Sequence, residues 1–427
     1  MDPIVIGIVA LVGLLVLIGL RVPIGVSLIF VSFLGILGIA GFRPAMSMLS
    51  TIPYTSSASW TLSAIPMFLL MGYLAYHSGL TRGLFEAARV WLGWMPGGLA
   101  IASLAGASGF AAVSGSSVAC SAAIGKIAIP EMQRQGYDLR IAAGSVAAGG
   151  TIGALIPPSI ILILFGIQSN SSINALFAAG LLVGLASLLF YIAAVIIVWL
   201  RAPERLPRST TTYTMRDRWA KTLEIWPVLV LISAVLGGLF GGFFTATEAG
   251  AFGAFGALVL GVVRRSLSWE GFRESLVDTL LATGALLIIA IGAGLFTRLV
   301  AMSGISAEIS NIVEGMGLGT TGLLIMIMLI YLALGMFLEP IGALLLTLPL
   351  FLPLIAMHGV DKIWFGVFVA KLLEIGMITP PVGLNVFVIH SVARDQIRLE
   401  QIFAGIVPFL LADLALIAAM LATRGFF

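Results

Sequence analysis

Ile152-Gly153-Ala154-Leu155-Ile156-Pro157-Pro158 and Ile375-Gly376-Met377-Ile378-Thr379-Pro380-Pro381 are two versions of one heptapeptide, each in the middle of a long apolar segment. Consecutive prolines remove backbone donors and turn the preceding residue away from helical ψ, so no helix runs straight through either copy. In hydrocarbon, such backbone is tolerated only where protein or a watery cavity satisfies its polar groups. One break would read as a kinked structural helix. Two matched breaks in two halves of a chain point to the binding site of a transporter.

The surrounding composition fits that setting. Of 427 residues, 60% are hydrophobic and 10% charged, which demands an apolar solvent and marks a polytopic membrane protein. Fifty glycines suit closely packed membrane helices. The single Cys120 excludes an internal disulfide framework. Pro3 to Leu20 lacks a basic leader and a small-residue cleavage site, so it reads as a retained span. The basic excess, net +3, falls in short loops, as topology requires, and gives no sign of nucleic-acid binding.

Working outward from the first break, spans are expected near 3–20, 24–41 and 60–77, followed by an interfacial amphipathic arm from Thr81 to Trp94. Residues 98–134 read as a re-entrant hairpin with Ser114-Gly115-Ser116-Ser117 at its tip. The broken span covers 138–168, and a clean span 174–200 completes a first repeat, 1–200. A basic linker, 201–222, leads into a second repeat, 223–427.

Moving the second half back by 223 positions superposes Pro130 on Pro353, Gly136 on Gly359, Asp138 on Asp361, and both proline pairs, with nine identities in the 29 positions from 130 to 158. That is an internal repeat. It predicts spans near 226–243, 247–263 and 279–302, a hairpin over 321–357, a broken span over 361–391, and a last span over 402–423. Five crossings per half, one of them broken, turn the second copy upside down, the inverted-topology arrangement of alternating-access carriers.

Alternating sides puts 17 of the 22 basic residues together, including Arg394 and the linker cations. That side is expected to be cytoplasmic, with both termini periplasmic.

Each half offers a hairpin tip opposite a broken helix: Ser114 to Ser117 with Gly153 to Ser159, and Phe337-Leu338-Glu339-Pro340 with Gly376 to Asn385. Unwound backbone presents carbonyl oxygens to cations and half-helix N-termini present amides to anions, which suits two cation sites flanking an anionic substrate. Glu339 stands out because a carboxylate within a membrane hairpin is costly.

Lys371 and Glu374, three apart on one helix, are expected to pair with each other. Arg298 and Asp413 lie near predicted span ends, where snorkelling is the ordinary explanation. His77, His358 and His390 are scattered, so no metal site is expected. Gly106-Ala107-Ser108-Gly109 matches the nucleophile string of intramembrane serine proteases, with His77 as the nearby histidine, but the repeat has no place in such an enzyme. The two tips differ in sequence, unlike the repeated selectivity elements of a channel. No Walker loop is present, so the driving force is an ion gradient and no cofactor is expected.

Three strings carry a resemblance: Ile156-Pro157-Pro158-Ser159, Gly242-Phe243-Phe244-Thr245-Ala246-Thr247-Glu248-Ala249, and Ile378-Thr379-Pro380-Pro381-Val382-Gly383-Leu384-Asn385-Val386-Phe387. With the Gly136-Tyr137-Asp138 turn, they resemble the DctM-like large membrane subunit of tripartite ATP-independent periplasmic (TRAP) transporters across essentially the whole chain.

The resemblance implies an elevator-type, sodium-coupled importer of an organic acid anion, of C4-dicarboxylate, keto acid or sugar acid class, in the bacterial inner membrane. Its implied partners are a periplasmic DctP-like substrate-binding protein and a small four-helix DctQ-like membrane subunit, expected here as a separate chain. One implied sodium site takes Ser114, Gly115 and Ser116 with Gly153, Ile156 and Pro157. The other takes Leu338, Glu339 and Pro340 with Gly376, Thr379 and Pro380. Implied substrate contacts are Ser116, Ser117, Ser159, Thr379, Gly383 and Asn385. The alternative is a stand-alone sodium- or proton-coupled anion carrier without a binding protein.

Overall fold

Helix is the regular structure throughout the described residues, 2–208, 213–393 and 396–424 of a computed structural model. Arg394, linker residues 209–212 and both chain ends, on which part of the expected topology rests, lie outside them.

The first helices are α1 (Pro3–Gly19), α2 (Ile24–Ala40), α3 (Phe42–Ser57), α4 (Ala64–His77) and α5 (Gly83–Leu92). Next come α6 (Gly98–Ser114) and α7 (Ser117–Arg134), then α8 (Leu139–Thr151) and α9 (Ile160–Ser169) on either side of the first proline pair. The long α10 (Ile173–Arg201) follows. After the linker the chain forms α11 (Met215–Glu224), α12 (Trp226–Phe240), α13 (Ala246–Val263), α14 (Trp269–Ser303) and α15 (Ile305–Gly315). It ends with α16 (Thr320–Phe337), α17 (Pro340–Met357), α18 (Lys362–Gly376), α19 (Leu384–Val392) and α20 (Leu399–Thr423).

Local chemistry sets the key boundaries. Asp138 and Asp361 cap α8 and α18, each accepting from a backbone amide of the first turn, Arg140 and Trp364 respectively. Ahead of each Asp lies a glycine at positive φ, Gly136 at +79° and Gly359 at +63°, which turns the chain out of the preceding helix.

Six of the described helices, α10, α13, α14, α16, α17 and α20, are long and apolar enough to cross a membrane, and α1, α2, α4, α6 and α9 are shorter apolar helices. The protein is multi-pass. Large apolar side chains such as Val9, Leu182, Leu189 and Leu280 remain on the outside, where a bilayer covers them.

Close helix contacts are made at glycines: α8 meets α20 backbone to backbone at Gly144 and Gly405, and α14 meets α2 at Gly292 and Gly25. Helices α2, α4 and α14 pack together on one side, with α13 against α4.

Three features depart from the sequence reading. Helix α3 occupies a stretch in which no element is expected; α14 begins at Trp269, well before 279; and α15 follows it. All three carry polar residues on an exposed face, so a search for continuous apolar runs passes over them. Helix α5, expected at the interface, lays Leu84, Phe85, Ala87 and Val90 against α6. Its Arg89 pairs with Glu86 at 2.9 Å and Glu131 at 2.7 Å.

Candidate functional site

The α6–α7 tip turns at Gly115, with φ +59°, and Ser116 caps α7 by accepting from the Ala119 amide. A methyl group on Gly115 would stand 2.6 Å from the Pro158 carbonyl oxygen, and one on Gly153 would stand 3.3 Å from Ser117 Cα. The tip is therefore seated directly on the first break. There, Ile152–Ala154 form a 3-10 turn, the Pro157-Pro158 bond is cis, and Ser159 donates to the Ala154 carbonyl while accepting from the Leu162 amide. Helix α10 covers the break through Gly180 and Gly184, which let it approach Leu155 and Ile156.

The second tip has Leu338 and Glu339 in extended conformation before Pro340 opens α17. Behind it, Gly376 lies against the backbone of Gly335 in α16. The Pro380-Pro381 bond is cis, Thr379 Oγ1 donates to the Ile375 carbonyl at 2.6 Å, and the Asn385 amide donates to the Met377 carbonyl at 3.0 Å. The Asn385 side chain is fully buried, with neither amide atom paired among the described residues.

Both tips reach one cavity of about 630 Å³. Ser114, Gly115, Ser116 and Ser117 line it from one side, Glu339 and Pro340 from the other, and α4 and α14 close it with Tyr73, Tyr76 and Asp278. Six sequence-derived site residues thus meet. Gly153 lies behind the first tip, while Leu338 and Gly376 are buried behind the second. Ile156, Pro157 and Ser159 are buried outside the cavity lining, as are Gly383 and Asn385; Thr379 is half-buried and Pro380 exposed. At the second break it is their neighbours, Met377 and Leu384, that reach the cavity.

The lining includes residues the sequence reading missed. Glu374 and Asp278 join Glu339 there, and no lysine, arginine or histidine is among the described lining residues. Glu374 does not pair with Lys371; it accepts from Ser117 Oγ at 2.5 Å. Lys371 Nζ instead meets Asp413 Oδ1 of α20 at 2.6 Å, with both side chains wholly buried. The Tyr191 hydroxyl donates to Asp413 Oδ2 at 2.8 Å, accepts from Lys371 at 3.3 Å and lies 2.9 Å from the Thr151 hydroxyl.

The expected local pair and the expected snorkelling of Asp413 are both corrected by the same physics. Buried charges need close, desolvated partners, and the partner comes from another helix that crosses at the same depth.

Ser108 Oγ donates to the Leu104 carbonyl, and His77 contacts Glu274 at 3.1 Å and Asp278 at 3.0 Å, so the described hydrogen bonds do not join them as nucleophile and base. Among the described residues no group of three or more His, Cys, Asp or Glu side chains is placed to hold a metal ion.

Paired half-helices and tips around one chamber, within an apolar helical chain, define a membrane transporter fold. The crystal structure of the Alcanivorax borkumensis YdaH transporter has that fold, with TM-score 0.66 at 13% identity over 92% of this chain and 90% of that one. So does Neisseria gonorrhoeae MtrF, described among antimetabolite efflux pumps, with TM-score 0.62 at 15% identity over 91% and 85%.

Residues 11–426 match the family described as "Tripartite ATP-independent periplasmic transporter, DctM component", and the chain belongs to that family. Among its relatives is the C4-dicarboxylate TRAP transporter large permease protein DctM of Pseudomonas aeruginosa, 36% identical over 84% of each chain. The sialic acid large permease SiaM of Vibrio cholerae is 32% identical over 85% of this chain and 84% of that protein. The isethionate permease DctMQ of Oleidesulfovibrio alaskensis is 34% identical over 88% of this chain, which spans 59% of that longer protein.

Proposed function

We propose that the chain is the large permease subunit of a secondary transporter that imports an organic acid anion coupled to sodium. It works with a small four-helix membrane subunit and with a periplasmic binding protein that delivers the substrate. The observation that carries this reading is the meeting of two tips from opposite halves of the chain in one cavity, within a member of the DctM family. The acidic lining supports cation coupling. Glu339, Glu374 and Asp278 without a basic side chain make a poor anion site alone, and co-bound cations offset that charge. Relatives named for C4-dicarboxylate, sialic acid and isethionate support the substrate class.

In this reading the two halves are inverted repeats, joined by the 201–222 linker. The hairpins with their broken helices form an elevator that slides past α2, α4 and α14. Sodium sits at Ser114 to Ser116 with Gly153 to Pro157, and at Leu338 to Pro340 with Gly376 to Pro380, while substrate lies between.

Uptake of a panel of organic acids into proteoliposomes containing both membrane subunits tests it. Uptake is expected only with an inward sodium gradient and the binding protein together. Sodium-driven uptake without the binding protein would favour a stand-alone carrier. The inverted topology is tested by cysteines at Arg134 and Met357, exposed at the open ends of the two hairpins and expected to label from opposite membrane faces; labelling of both from one face would overturn it.

A further inference from the structure

We propose that Glu374 is the residue through which the two sodium sites communicate, acting as a positioning residue and not as a sodium ligand. The inference rests on the two-site sodium reading above.

Glu374 lies on α18, two residues before Gly376, where the backbone assigned to the second site begins. Its carboxylate reaches across the molecule to Ser117, 257 positions earlier, in the tip assigned to the first site. Glu374 is 1% exposed and Ser117 5%. At 2.5 Å the bond between them has no slack and no room for water.

Nor is another strong partner at hand. Lys371, the nearby cation, is taken by Asp413 and Tyr191, so the Ser117 hydroxyl is the one described hydrogen-bond donor to Glu374. Ser117 in turn packs on Gly153 of the first break and follows the Ser116 cap. A cation that draws in the first tip fixes Ser117, which holds Glu374, which fixes the end of α18 and the carbonyls beyond it. Reciprocity requires the second site to favour the first equally.

Sodium-induced thermal stabilisation of the purified complex of both membrane subunits, without substrate or binding protein, reads this directly. Wild type is expected to respond with a Hill coefficient above one. In Ser117→Ala and Glu374→Leu the coefficient falls to one and half-saturating sodium rises by about fivefold or more. Glu374→Gln keeps an oxygen that accepts from Ser117, so it retains most of the cooperativity; a merely structural role would lower the sodium-free melting temperature and leave the Hill coefficient alone.

An unchanged coefficient in Ser117→Ala, the mildest of these variants and the one that decides if Glu374→Leu does not fold, overturns the proposal. So does a coefficient of one in wild type. Absence of any sodium response would overturn the sodium reading itself, an outcome distinct from either.

Discussion

The two proline breaks share a sequence and differ in their surroundings. Residues 152–159 are buried throughout, with the Gly115 tip pressed on Pro158 from one side and α10 laid over Leu155 and Ile156 from the other. At the second break, Pro380 and Pro381 are exposed, and what is buried is the helix leading in, α18, anchored by the Lys371–Asp413 pair. The difference teaches that the proline pair fixes only where the helix stops. Whether the freed backbone is closed off depends on what packs over it: a small-residue helix face in one half, an ionic anchor upstream in the other.

The largest effect is expected where the ionic anchor is cut. Lys371→Met leaves Asp413 charged and buried without its cation and should cost about 3–5 kcal/mol in detergent unfolding. The double variant Lys371→Met/Asp413→Leu should recover most of that; no recovery would mean the pair matters for more than mutual charge compensation.

Next is the steric lid of the first break. A methyl group on Gly180 would stand 2.7 Å from the Leu155 carbonyl oxygen, so Gly180→Val should cost about 1–3 kcal/mol. Gly237→Val, in a position with nothing within 4 Å, escapes that clash and serves as the control.

Ser159→Ala removes the cap of α9 and should cost about 1 kcal/mol. Smallest in energy, and the sharpest test of the contrast, is accessibility. Cysteine at Pro381 should react with a soluble maleimide faster than cysteine at Pro158, against a background in which native Cys120 is buried. Equal rates would erase the distinction.

Much of this was legible because Gly, Pro, Asp and Ser act locally. The proline pairs end helices, and Asp138, Asp361, Ser116 and Ser159 start them. Helix α15 was missed although the repeat held its signal: the shift of 223 that superposes the proline pairs carries α5, Gly83–Leu92, onto 306–315.

Tertiary partnership was not legible. Glu374 sits three residues from Lys371, and spacing alone pairs them; nothing in the sequence says that α20 brings Asp413 to the same depth, or that Ser117 faces the other carboxylate. Asp278 and Tyr76 were hidden for the same reason, since a cavity wall is assembled from helices distant in sequence.

Helix α14 has one more consequence. Its 35 residues extend about 52 Å at 1.5 Å per residue, against a hydrocarbon layer of about 30 Å. Glu270, Arg273, Glu274 and Asp278 lie along its first turns, on the stretch that His77 ties to α4. The helix must tilt or project, to an extent set by the thickness of the bilayer. Thinner lipid tilts it further or leaves more of its polar end in water, and thicker lipid lets it stand more upright.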